Sequence, residues 1–385
     1  HPRFPYTVEQ TYELRLKSLF LLPSADLAYD IPVAKAVVTI THPTDRPIRY
    51  KQYRLDTEPT VVEKGDKRTV QWQCAEIPAF KESAYSPPEF MAGPHIAFAA
   101  ERFSLNEYSF RELSWKNVGL WYRQLASDPD HVANFTVTPT ADPLHLKERA
   151  DSIYRETTRK TRYVAAYLDI DGWQPHSLRH VRQRQYGDCK DLTSLLTAEL
   201  HAGGITAYPC LLLTSDEGAT DTAFANFGFN HVITMALIGD DTLWYDPTCD
   251  ICPPRRLPSA NQGAVGVVAT DTGGVLVTVP FSSAESNRIV RSICITADSV
   301  GRIALKVRAA ASGSFALRLR AGVRHMDRKE IDQYITNWLI GSRPQYKVLS
   351  YQISGEDDLA APVQIEYELS CAKQLDIVGG TRYLL

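Results

Sequence analysis

Along roughly the first 138 positions, apolar and polar residues alternate in short runs broken by turn residues. Ala36-Val37-Val38-Thr39-Ile40-Thr41 and Thr69-Val70-Gln71-Trp72-Gln73-Cys74 are two such runs. Pro43-Thr44-Asp45-Arg46-Pro47 and Glu63-Lys64-Gly65-Asp66 supply the turns. A period of two in β-branched and aromatic residues predicts strands, and the regular breaks predict an antiparallel β-sandwich. The pattern changes at Asp142-Pro143. Over 144–158, Leu146, Ala150, Ile153 and Tyr154 fall at helical spacing. A second helix is predicted from Cys189 to about Ala202, with Leu192, Leu195, Leu196 and Leu200 on one side and Gly203-Gly204 ending it. Strands are predicted at 207–214, 231–237 and 242–246. From about Ser282 the β alternation returns, interrupted by one helix over 327–340.

Composition narrows the classes. The 385-residue chain is 44% apolar and 23% charged, enough for two or three domains around buried cores. A formal net charge of −3 supplies no field for nucleic acid or an anionic membrane, so no nucleic-acid partner is expected. No apolar run approaches the roughly 20 residues that cross a bilayer. The chain begins at His1 and stops at Tyr383-Leu384-Leu385, which reads as a trimmed or processed fragment, so the missing signal says nothing about export. Seven cysteines fit one nucleophile plus six pairable thiols in an oxidising compartment, or seven idle thiols in a reducing one.

The chemistry concentrates at Tyr186-Gly187-Asp188-Cys189-Lys190-Asp191-Leu192. Asp188 stands at an N-cap position and Asp191 follows at capping-box spacing, so Cys189 is predicted to be the first helical residue. Unpaired N–H groups and the positive dipole end at a helix start favour thiolate over thiol, and the same groups can face a developing oxyanion. A cysteine beside a cap, taken alone, is more often a buried structural residue. Here two further residues join it. Asn230-His231-Val232-Ile233-Thr234-Met235 reads as a strand opening with His231, and Leu243-Trp244-Tyr245-Asp246 as its hairpin partner across Gly239-Asp240. A loop of two or four residues places Asp246 opposite Ile233 and diagonal to His231; an odd, unbulged loop parts them. Cys189 as nucleophile, His231 as base and Asp246 as orienter form the predicted triad.

These stretches, with Thr161-Arg162-Tyr163, Trp173-Gln174-Pro175, Gly203-Gly204-Ile205-Thr206-Ala207 and Asp246-Pro247-Thr248, resemble the transglutaminase-like core of the papain-like thiol superfamily over roughly residues 142–280. The resemblance implies that fold and carries over Cys189, His231 and Asp246 as the triad. In the flanks, Ile31-Pro32-Val33, Ile77-Pro78-Ala79-Phe80-Lys81-Glu82 and Ala92-Gly93-Pro94-His95-Ile96 resemble bacterial β-rich domains of unknown function that bracket such cores. Many of those proteins are exported, which implies an extracytoplasmic location, periplasmic or cell-surface. The N-terminal pattern begins part-way through, and Cys249-Asp250-Ile251-Cys252 is no part of the family's pattern.

The expected fold class is α+β: a β-sandwich over 1–138, a papain-like transglutaminase core over 139–281 and a C-terminal β-rich domain over 282–385. The expected reaction is attack by Cys189 on a peptide, protein or cell-wall-type amide through a thioester, with hydrolysis ahead of cross-linking and no metal or organic cofactor. The alternative is a catalytically inactive binding or scaffolding protein that uses its β domains and keeps a vestigial core.

Secondary candidates complete the reading. Gln183, Gln185 and Trp173 are candidates for the side-chain donor of an oxyanion hole. Arg184, Lys190 and Asn230 are substrate-binding candidates, the first two in a basic cluster with Arg179 and Arg182 that is more often a solvated face. Cys249 and Cys252 read as a local disulfide or two idle thiols, because no second ligand pair follows at zinc spacing. Asn134-Phe135-Thr136 fits a glycosylation acceptor. The segment 214–228, without apolar periodicity, reads as a mobile lip at the rim of an open groove or simply as a long loop.

Overall fold

The computed structural model describes residues 16, 18–80, 93–127, 142–165, 172–298, 302–324, 326–341, 345–374, 376–378 and 381–383; Asn134 lies outside them. The chain divides into two units. The first comprises His1–Leu125, Glu217–Phe229 and Ala269–Leu276; the second comprises Ala126–Asp216, Asn230–Val268 and Val277–Leu385.

In the first unit the strands are β1 (Ala25–Asp26), β2 (Val33–Pro43), β3 (Ile48–Tyr53), β4 (Thr60–Lys64), β5 (Lys67–Ile77), β6 (His95–Ala100), β7 (Arg102–Leu105) and β8 (Tyr108–Arg111). Two antiparallel three-stranded sheets, ordered β1-β6-β3 and β2-β5-β4, share a core of Leu27, Val70, Trp72, Cys74, Ile77 and Ile96. The period of two in β5 sends Val70, Trp72 and Cys74 inward and Gln71 and Gln73 outward. The Trp72 indole N–H donates to Gln52 Oε1 at 2.9 Å, so the ring's polar edge is satisfied inside that core.

Two features of this unit depart from the sequence expectation. Helix α1 (Trp115–Leu125), which the sequence reading did not single out, interrupts a stretch read as mostly strands, burying Val118, Trp121, Tyr122 and Leu125 at i, i+3, i+4 and i+7. Its aromatic residues favour strand by propensity, but the spacing decides. A Cβ on Gly119 would lie 2.2 Å from the Gly274 Cα, so only glycine permits this backbone approach. The second departure concerns the lip. Glu217–Phe229 is anchored instead, with Phe224 and Phe227 buried. The Phe227 ring packs against Phe20, Phe103, Phe110 and Trp121 at centroid distances of 5.0–5.3 Å. Asp221 pairs with Lys51 and accepts from the Tyr53 hydroxyl at 2.5 Å, and the Trp115 indole donates to the Thr222 carbonyl at 2.7 Å. Two apolar anchors three residues apart are too sparse to register as a period, yet they hold the segment.

The second unit contains α2 (Pro143–Lys160), β9 (Arg162–Tyr163), α3 (Leu178–Arg184), β10 (Tyr186–Gly187), α4 (Cys189–Ala202), β11 (Thr206–Leu212), β12 (His231–Ile238) and β13 (Asp241–Tyr245). With β14 (Val265–Thr270), strands β11, β12 and β13 form an antiparallel sheet ordered β13-β12-β11-β14, and β15 (Gly273–Thr278) follows β14 in the chain. Leu196 and Leu200 of α4 and Ala150 and Tyr154 of α2 bury Ala207, Ala236 and Ile238 of the sheet. Cys210, Ile233, Met235 and Trp244 form a second core with Leu257, Ala264 and Val279. Two cores explain why β12 is apolar at nearly every position.

Farther along, β16 (Ile289–Ala297), β17 (Arg302–Ala311), β18 (Tyr346–Ser354) and β19 (Val363–Gln374) form an antiparallel sheet ordered β16-β17-β19-β18. It shares a core with α5 (Ser314–Arg324) and α6 (Arg328–Ile340). Only α6 is expected from sequence. In α5 the order Phe315-Ala316-Leu317-Arg318-Leu319-Arg320 imitates strand alternation, whereas Ala316, Leu319 and Arg320 are buried together at helical spacing. Arg320 is accommodated because its guanidinium donates to the carbonyls of Gly355, Glu356, Asp358 and Ala361. Among the described residues no helix is long and apolar enough to cross a membrane.

Candidate active site

Helix α4 begins at Cys189, and each residue of Gly187-Asp188-Cys189-Lys190-Asp191 has a local physical reason. The Asp188 carboxylate accepts from the Lys190 and Asp191 N–H groups, and the Asp191 carboxylate accepts from the Asp188 N–H at 3.1 Å, a reciprocal capping box. The Leu192 N–H goes to the Asp188 carbonyl at 3.0 Å. Among the described residues no acceptor takes the Cys189 N–H, so it remains as a donor beside the thiol. Gly187 has no side chain because a Cβ there would stand 2.5 Å from that of Asp191. Asp191 also accepts the His176 backbone N–H at 2.7 Å and lies 3.1 Å from His176 Nδ1, fastening the chain before α3 to the helix start.

His231 opens β12. The β12–β13 ladder runs Ile238↔Asp241 to Thr234↔Tyr245. The loop is therefore Gly239-Asp240 alone, with Gly239 at φ 59° in the first central position of a tight hairpin turn. One step beyond the ladder, Asp246 lies opposite Ile233 and diagonal to His231. The His231 Nε2–H donates to Asp246 Oδ2 at 3.0 Å. The Cys189 side chain lies close enough to the same ring to interact with it. The structure thus brings Cys189, His231 and Asp246 together from a helix start, a strand start and the residue after a strand.

Asp246 is buried with both oxygens occupied. Oδ1 accepts from the Thr248 N–H at 3.0 Å and the Thr248 hydroxyl at 2.6 Å; Oδ2 accepts from Asn261 Nδ2 at 2.7 Å as well as from His231. Burial alone would raise this carboxyl, but the His231 charge and the His231 and Thr248 hydrogen bonds hold it below its ordinary value. For His231 burial disfavours the charged ring, yet the Asp246 charge and the hydrogen bonds to Asp246 and Cys189 outweigh it and lift the imidazole to about 10. This environment favours a protonated ring beside the sulfur over the whole neutral range.

Asn261 carried no sequence signal: it arrives on a short 3₁₀ turn, Ser259–Asn261, fifteen residues after Asp246. Thr248 was legible only as a member of Asp246-Pro247-Thr248, where a hydroxyl two residues on from an Asp commonly caps it. Behind them the Tyr154 hydroxyl meets the carbonyls of Asp246, Cys249 and Cys252 at 3.0–3.3 Å, and Cys249 and Cys252 are joined by a disulfide. Among the described residues no group of three or more His, Cys, Asp or Glu could hold a metal ion.

The secondary candidates disperse. Lys190 is buried at 2% exposure and paired with Asp188, so it cannot reach a substrate. The Asn230 amide is spent on Thr214, accepting its N–H at 2.9 Å and donating to its hydroxyl at 2.8 Å; it fixes the entry to β12 instead of reading a ligand. Gln185 caps α3 in a left-handed conformation and lines a cavity with Thr161, Arg182, Leu195 and Glu199, away from the three residues above. Gln183 and Arg184 are exposed on α3, and Trp173 is half-buried ahead of it. Arg182 is paired with Glu199 at 3.0 Å, which breaks up the expected basic cluster.

Residues 1–81 match the family model of a domain of unknown function with a solved structure, DUF3857. No curated protein matches the chain. Among solved structures, the chain is similar to a candidate protease from Parabacteroides distasonis ATCC 8503, at 14% identity and a TM-score of 0.47, over 93% of this chain and 70% of that one. A candidate cysteine protease from Cytophaga hutchinsonii is similar over 58% of this chain and 73% of that one, at 13% identity and a TM-score of 0.21. At these scores the likenesses carry no functional argument; the geometry does.

Proposed function

We propose that the chain is a thiol acyl-transfer enzyme with a transglutaminase-like, papain-type core that hydrolyses a peptide or cell-wall-type amide. The observation that carries this reading is one imidazole held between a helix-start thiol and a buried, fully hydrogen-bonded carboxylate. The Cys189 thiolate attacks the carbonyl carbon, and the electron pair displaced onto oxygen faces the Cys189 N–H. The His231 imidazolium gives its proton to the departing amine, leaving a thioester on Cys189. Neutral His231 then takes a proton from water, the resulting hydroxide attacks the thioester, and the acid departs as the thiolate–imidazolium pair re-forms. Asp246 holds the ring by Nε2 and stabilises its charge throughout.

The organisation proposed with it is a β-sandwich, the thiol core and a C-terminal β domain. An extracytoplasmic setting is supported by the Cys249–Cys252 disulfide, since such bonds persist in oxidising compartments. Incubation with a library of peptides and cell-wall fragments tests the enzyme reading. Released amine and an acyl adduct on Cys189, both lost in Cys189→Ala, are expected. A protein that turns over none of them, and whose Cys189 alkylates no faster than exposed Cys294, is a binding module instead.

A further inference from the structure

The start of α4 carries a charge arrangement that the proposed reaction does not itself require. Asp188 is 1% exposed and Lys190 2%, and the two are joined by an ion pair inside the protein. Burying such a pair carries a desolvation cost that a surface lysine would avoid. Helix capping does not demand it either, because Asn, Ser or Thr caps a helix start about as well as Asp without bringing a charge. A buried ammonium at this position therefore needs a reason.

The reason lies in what surrounds Cys189. From α4 itself come the carboxylates of Asp188 and Asp191, directly before the sulfur-bearing residue and two after it. From the chain ahead of α3 comes His176, which meets Asp191. From β12 comes His231, and behind it Asp246. With Cys189 as thiolate, the helix start would hold three negative groups, and among the described residues two of them have a neighbour from another element: the sulfur has His231 and Asp191 has His176. Asp188 has none, and its compensation is Lys190. Burial and the Asp191 charge still leave the Asp188 carboxyl above its ordinary value, with the Lys190 hydrogen bond and charge pulling against them.

We propose that Lys190 is a positioning residue for the nucleophile: its buried ammonium cancels the Asp188 carboxylate, so that the cap which places Cys189 does not oppose the thiolate. The inference rests on the thiol reading above. It assigns Lys190 neither contact with substrate nor a proton in the reaction.

The test is the pH dependence of Cys189 alkylation by iodoacetamide, followed by mass spectrometry on the full chain, with near-ultraviolet circular dichroism recorded at each pH. In Lys190→Met the carboxylate is uncompensated, and the alkylation midpoint moves up by roughly one pH unit, a tenfold slower reaction below the midpoint. In Asp188→Asn the ammonium is unopposed and the midpoint moves down, while Asn still caps the helix. The double variant Asp188→Asn/Lys190→Met carries neither charge and returns towards the wild type. A merely structural role for the pair would move both single variants in the same direction and would not be relieved in the double variant. Unmoved midpoints, or shifts of one sign in both singles, overturn the proposal. Should Lys190→Met fail to fold, the downward shift in Asp188→Asn still decides it. If wild-type Cys189 is alkylated no faster than Cys294, the thiol reading itself fails, an outcome distinct from unmoved midpoints in a reactive Cys189.

Discussion

The Thr193 hydroxyl donates to the Val232 carbonyl at 3.0 Å, tying the helix that begins at Cys189 to the strand that begins at His231. Thr193 is fully buried one turn after Cys189, and Val232 follows His231 directly. This bond joins the packing of Leu196 and Leu200 against Ala236 and Ile238 in holding α4 on β12, and it is the contact nearest the thiol and the imidazole in sequence.

Thr193→Val keeps the shape and removes that donor. The stranded carbonyl should cost about 1–3 kcal/mol of stability. Alkylation of Cys189 at neutral pH should slow as well, because the helix start is no longer held against the strand. Denaturant unfolding and labelling rates measured side by side check it; a stability loss with an unchanged labelling rate would remove the link from this bond.

Asp246→Asn should preserve the fold and lower turnover by roughly 10²–10⁴-fold, since the imidazolium loses its carboxylate. The sign of the pH effect follows from His231, raised to about 10 against an unfolded value near 6.5. Its contribution to stability is fully present below about 6.5 and is lost as pH rises through about 10. The wild type should therefore lose stability across that window, and Asp246→Asn should flatten the loss. Thermal denaturation from pH 6 to 10.5 reads the difference, and parallel curves for the two proteins would contradict the assignment.

Glu217–Phe229 belongs with the N-terminal unit, so removing residues 1–125 should not liberate a working core. It should expose Phe224 and Phe227 and unsettle the chain that enters His231. Phe227→Ala in the whole protein should cost about 3–5 kcal/mol, measured by denaturant unfolding. A soluble 126–385 fragment that alkylates Cys189 as fast as the full chain would show that the anchor is dispensable.

Among the cysteines, Cys74 and Cys210 are buried, burial pushes the Cys210 thiol up, and Cys249 and Cys252 are bonded to each other. Cys294 is exposed on β16 without the histidine and helix start that Cys189 has. Limited iodoacetamide at pH 7 should modify Cys189 before Cys294, despite the greater exposure of Cys294. Peptide mapping after short exposure gives the order, and Cys294 first would place reactivity under exposure alone.

What the sequence determined by itself was local. Asp188 and Asp191 three residues apart specify a helix start at Cys189, because a capping box involves only groups within one turn. Asp142-Pro143 and Asp327 mark α2 and α6 for the same reason. Gly239-Asp240 marks the turn, but its length and the parity that sets Asp246 diagonal to His231 came from the observed ladder, Ile238↔Asp241 to Thr234↔Tyr245. The tertiary structure alone decided which partner a side chain meets in the interior. Asn261 reaches Asp246, Lys190 turns inward to Asp188, and Phe227 joins Phe103 and Trp121. In each case the sequence shows a polar, charged or isolated aromatic residue whose environment is not written in its neighbours. Burial and hydrogen bonding are properties of the space a residue enters, and that space is enclosed by elements whose meeting no short-range pattern encodes.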